Sequence, residues 1–90
     1  MIERTTNQFV ADVISEIQRA QTKFPSANHA TVALMEEVGE LAQAKLKVAA
    51  GKAHPMRVYE EAIQVAAMAY RAACEHDESF HNTDYVEDDK

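Results

Sequence analysis

MEEVGELAQAKLK, residues 35–47, is the stretch on which the fold turns. Glutamate, leucine, alanine, glutamine and lysine are strong helix formers, and nothing in the segment favours a strand. Yet Glu36, Glu37 and Glu40 crowd within little more than one turn. Like charges at this spacing repel by about 0.2–0.5 kcal/mol per i,i+4 pair. The helix therefore carries a charge pattern that its own stability does not explain.

Working outward, the chain has two glycines, two prolines and almost no period-two alternation, so it reads as all-α. A first helix is expected from Thr6 to Thr22, with Phe9, Val10, Val13, Ile14 and Ile17 as one apolar stripe. Pro25 pushes Phe24 out of the α region and closes it. The second helix is expected to start near Ser26–Asn28, whose side chains suit N-caps, and to run to Ala50 with Gly51 behind it. Its stripe is Leu34, Val38, Leu41, Ala42 and the stem of Lys45. The third opens at Pro55 and runs to Glu75, with Val58, Ala62, Val65, Ala69, Ala72 and Ala73 as its packing face. The short GKAH loop, residues 51–54, pairs the second and third helices antiparallel.

Ninety residues make one domain, and a chain this short has a marginal core of its own. Such proteins lean on disulfides, a metal or a partner subunit. Cys74 is the single cysteine, which rules out an internal disulfide; it is expected to be a small buried apolar residue. A formal charge of −6 argues against nucleic-acid polymers and anionic membranes. The opening MIERTTNQF lacks the apolar core of a signal peptide, and no apolar run has membrane-spanning length, so a soluble cytoplasmic protein is expected. The helical domain is assigned to residues 1–76. Residues 77–90 form an acidic tail, expected to be partly disordered with a short turn around Phe80–Tyr85.

A helix turns about 100° per residue, which places Glu37 and Glu40 about 60° apart and Glu36 and Glu40 about 40° apart. All three share a wedge bordering the Leu34–Val38–Leu41 stripe. In the antiparallel hairpin, Glu40 lies roughly 14 Å before the end of its helix; Glu61 and Gln64 lie roughly 9 and 14 Å into the next. Carboxylates from both helices can thus converge. Hard oxygen ligands without histidine or cysteine suit Mg²⁺ or Mn²⁺. The competing reading of the same residues is a solvated acidic face.

Glu36-Glu37-Val38-Gly39-Glu40, followed after twenty residues by Glu61-Ala62-Ile63-Gln64, resembles the EExxE…ExxD signature of the MazG-like all-α nucleoside triphosphate pyrophosphohydrolases. The likeness spans about residues 5–75. It implies a hairpin plus N-terminal helix that assembles into four-helix bundles in a homodimer or homotetramer. It also implies Mg²⁺-dependent cleavage of a nucleoside or deoxynucleoside triphosphate to the monophosphate and pyrophosphate. By motif position Glu37, Glu40 and Glu61 would be metal ligands. Glu36 would be a further ligand or the group that orients or deprotonates the attacking water, so Glu36 and Glu37 are the candidate catalytic residues.

Gln64 stands where the family has aspartate. Gln64 remains a candidate fourth metal ligand, because its carbonyl oxygen can meet Mg²⁺, but it brings no charge, so a catalytically weakened oligomer that binds nucleotide or another protein is the alternative. Lys47 and Arg71 share the faces of the acids and are candidate phosphate contacts, with His29 near the mouth of the same face. Phe9, Phe24, Met68 and Tyr70 are candidate walls for a base, or simply core. A di-iron bundle is disfavoured, because no Glu-x-x-His falls within the clusters.

Overall fold

The computed structural model describes residues 2–77. Three helices account for most of them: α1 (Thr6–Lys23), α2 (Ala30–Ala49) and α3 (Met56–Cys74), with no strand among the described residues. The expected turn at Phe80–Tyr85 and the disorder of the tail lie outside the described residues.

Local chemistry accounts for most boundaries. Thr5 and Gln8 form a reciprocal capping box at the start of α1: the Gln8 amide donates to Thr5 Oγ1 at 3.1 Å and the Thr5 amide to Gln8 Oε1 at 2.8 Å. The helix stops at Lys23, just ahead of the Phe24–Pro25 pair. Gly51, at φ 72°, takes the left-handed position behind α2, and its amide reaches the Val48 carbonyl at 3.0 Å.

The start of α2 departs from the expectation. Ser26 and Asn28 do not cap it; His29 precedes the first helical residue in a left-handed conformation, φ 67°. The cap arrives from the far end of the chain. Asp77 is buried, and its Oδ1 and Oδ2 accept the amides of His29 at 3.0 Å and Thr31 at 3.1 Å. A carboxylate at a helix N-terminus is favourably placed against the helix dipole.

Helix α3 is the middle of the assembly, packing on α2 along one side and on α1 along the other. Its buried arc is accordingly wide, taking in Glu61, Ile63, Ala67 and Arg71, while Ala69 and Ala73 of the expected face are exposed. Tyr59 ties α1 to α3 by donating its hydroxyl to Asp12 and packing edge-on against Phe9, ring centroids 5.8 Å apart. Among the described residues the buried apolar ones are Ala20, Ala27, Ala30, Ala44, Ile63 and Ala67, and no large side chain is fully enclosed. Alanines bring the helix backbones close but remove little area from water. Val10 and Ile14 of the first stripe remain open, at 48% and 50% exposure. Cys74 is exposed rather than buried, since it lies at the free end of α3.

Candidate metal centre

On α2, Ala30, Leu34, Glu37, Leu41, Ala44 and Val48 recur at steps of three and four and are buried or half-buried. This is the face against α3. Glu37 therefore occupies the packing stripe itself rather than its border, and Val38 and Ala42, expected in the stripe, are exposed. Glu61 is buried on α3, 9% exposed, and Glu40 stands exposed at the rim one turn beyond Glu37. One carboxylate oxygen from each of Glu37, Glu40 and Glu61 lies within 4.8 Å of the other two. Glu36 is exposed and outside this group, although its charge is felt at Glu37.

Three anions at this distance are costly. Burial, followed by the charges of Glu40 and Glu61, pushes the Glu37 carboxyl up to about 7. Glu37 Oε2 and Glu61 Oε2 are both buried without a hydrogen-bond partner. Unpaired buried carboxylate oxygens carry a desolvation cost of a few kcal/mol unless something meets them. One cation is at hand: Arg57 Nε lies 3.4 Å from Glu61 Oε1, its own side chain 61% exposed. An all-oxygen set of three carboxylates, two of which have a buried oxygen without a hydrogen-bond partner, fits a hard divalent cation in its donor chemistry.

Three clefts adjoin the cluster, one of them, about 430 Å³, lined by Glu61 and Gln64 together with Asp12, Glu16 and Tyr59. A small one of about 160 Å³ is bordered by Glu40, Gln43, Ala44, Lys47 and Arg57. The third, about 400 Å³, lies between α1, the α1–α2 connection and α3, with Glu37 and Gln64 in its wall. His29, Phe24, Met68 and Arg71 also line it, whereas Phe9 and Tyr70 do not. Gln64 lies near the Glu16 carboxylate, which the Arg19 guanidinium holds below the usual range with lesser help from Gln64.

Arg71 is not the open phosphate contact that its spacing suggests. It is 2% exposed; Nε donates to Glu75 at 2.9 Å and Nη1 to the Ala20 carbonyl at 3.3 Å. Burial opposes ionisation of Glu75, but donors from Gln21 and Arg71 outweigh it and hold its carboxyl below the ordinary value. Arg71 thereby locks α1 to α3. Only its Nη2 is buried without a partner.

Arg57, Glu16 and Asp77 were not singled out from the sequence. Arg57 could have been, four residues before Glu61 on the same helix. Asp77 could not, because its partners lie 46 and 48 residues away. No helix of the described residues is long and apolar enough to cross a membrane. Comparison with protein-family models, with curated proteins and with solved structures finds no match to this chain.

Proposed function

We propose that this chain is a Mg²⁺- or Mn²⁺-dependent nucleoside triphosphate pyrophosphohydrolase of the MazG-like kind, acting as a homo-oligomer. The observation that carries the proposal is the meeting of Glu37, Glu40 and Glu61 across two helices, with two of their oxygens buried and unsatisfied.

Those three residues would hold the ion, with Glu36 free at the exposed edge to orient or deprotonate water. A bound divalent cation would neutralise phosphate charge and acidify water. The water oxygen bonds to phosphorus, the bond to the bridging oxygen breaks, and pyrophosphate leaves. Lys47, exposed beside Glu40, supplies positive charge to the phosphates. The cleft of about 400 Å³ would take the nucleoside, with Arg71 and His29 among the residues that line it.

The homo-oligomer is supported by a second apolar face. Val32, Met35, Val38, Ala42 and Leu46 follow one another at helical steps on α2, and all are exposed, Met35 at 70% and Leu46 at 72%. A contiguous apolar face on a small acidic protein calls for a covering surface. A second copy would provide the four-helix bundle.

The test is pyrophosphate release from a panel of ribo- and deoxyribonucleoside triphosphates with Mg²⁺ or Mn²⁺. Turnover that disappears in Glu37→Gln and Glu61→Gln supports the proposal. Metal and nucleotide binding without turnover would favour the alternative, a weakened relative, to which the uncharged Gln64 points.

A further inference from the structure

The residues directly behind α3 tie the other two helices together. Glu75 accepts from Gln21 of α1 at 2.8 Å on Oε2 and from Arg71 of α3 at 2.9 Å on Oε1. Two residues on, Asp77 is 8% exposed and accepts the amides of His29 and Thr31 at the start of α2, at 3.0 and 3.1 Å. Glu75–Asp77 therefore joins all three helices at one end of the molecule. That link matters for α1 and α2, because each packs on α3 and they hardly touch one another. Asp77 thereby fixes His29 at φ 67°, ψ 17°, a backbone conformation that a residue with a Cβ keeps only where its surroundings impose it. Ser26, Ala27, Asn28, His29 and Ala30 line the cleft of about 400 Å³, whereas Glu75 and Asp77 do not.

We propose that Asp77 is a positioning residue for the nucleoside: through the amides of His29 and Thr31 it sets the connection 26–29 as a wall of that cleft, with Glu75 bracing the α1 side. The inference rests on the reading of this cleft as the nucleoside site. The cleft reaches from α1 to the α1–α2 connection, so its width depends on how that connection is held against α1. Without the two acceptor oxygens His29 relaxes towards the ordinary backbone regions, and the wall moves with it. A wall formed in only a fraction of the molecules lowers apparent affinity by that fraction. The Glu37–Glu40–Glu61 cluster stands on α2 and α3, which pack on each other directly, and so does not need Asp77. The signature is a split, in which nucleotide affinity falls and metal affinity stays.

Calorimetry on the full chain reads this split, using Mn²⁺ alone and then the α,β-imido analogues of ATP, GTP, CTP and UTP with Mn²⁺ present. Far-UV circular dichroism first fixes a temperature at which the variants are folded. Asp77→Ala should weaken the tightest analogue about tenfold, the effect of a wall formed in about a tenth of the molecules, and leave Mn²⁺ unchanged. Asp77→Asn keeps one carbonyl oxygen as acceptor and should recover part of the loss; it carries the test should Asp77→Ala fail to fold. Phe24→Ala, at an exposed residue that lines the cleft, locates the nucleoside and should weaken the same analogue. Should Phe24→Ala weaken the analogue while the Asp77 variants bind it as the wild type does, or lose Mn²⁺ in equal measure, Asp77 has no positioning role and the nucleoside site stands. Should the wild type bind no analogue, or Phe24→Ala leave binding unchanged, the cleft is not the nucleoside site and the inference falls with that reading.

Discussion

Lowering the pH from 8 to 6 should loosen divalent-cation binding, and the size of the effect can be worked from Glu37. With its carboxyl at about 7 in the metal-free protein, roughly ten in eleven molecules carry it ionised at pH 8 and one in eleven at pH 6. A cation needs the ionised form, so apparent Mn²⁺ affinity should fall about tenfold over this interval, or about 1.4 kcal/mol. At pH 7 each ion bound should release about half a proton, readable by calorimetry in buffers of different ionisation enthalpy. Stability of the metal-free chain runs the other way. The folded value of about 7 exceeds the ordinary 4.5, so the folded state keeps a proton that the unfolded chain has lost. The resulting stabilisation is full below 4.5 and disappears as pH rises through about 7. Converted directly the gap is about 3 kcal/mol, and solvent screening of this half-buried side chain reduces it to about 1–2 kcal/mol. Metal-free protein should therefore melt several degrees higher at pH 5 than at pH 8, and Glu37→Gln should flatten that difference. Mn²⁺ affinity that is flat between pH 6 and 8, or that strengthens as pH falls, would refute the reasoning.

Asp77→Ala removes the acceptor of two amides at the start of α2 and should cost about 1–2 kcal/mol in urea unfolding, with Asp77→Asn costing less. Arg71→Met strips Glu75 of its guanidinium and frees the Ala20 carbonyl; a loss of about 3 kcal/mol is expected by the same method. Met35→Glu with Leu46→Glu places charge on the outer face of α2 and should lower the sedimentation coefficient towards that of a monomer, whereas an unchanged coefficient would remove that face as the interface.

The helices were legible because their signals are local. Pro25, Gly51 and Pro55 punctuate the chain within a few residues of the observed ends, and helical recurrence of apolar residues marks the spans between. The convergence of Glu37, Glu40 and Glu61 was legible for a related reason: rise and turn per residue are constants, and a short loop sets the register of a hairpin. What escaped depends on which helix lies in the middle. With α3 packed on both sides, Arg71 is enclosed and tied to Ala20 and Glu75, while Val10 and Ile14 at the far side of α1 are left open. The α2 cap escaped for a different reason. Ser26 and Asn28 are good capping residues by type, but Asp77 folds back across the whole chain to take the site. Glu37 shows the limit of pattern reading at one position: an acid on an apolar stripe reads as its border until the neighbouring helix is seen to cover it.

The most direct measurement is anomalous diffraction from crystals grown with Mn²⁺. The account predicts one manganese peak, or a close pair, bounded by the carboxylates of Glu37, Glu40 and Glu61. Crystals of the same protein with no peak there, and those three side chains directed to different surfaces, would contradict it.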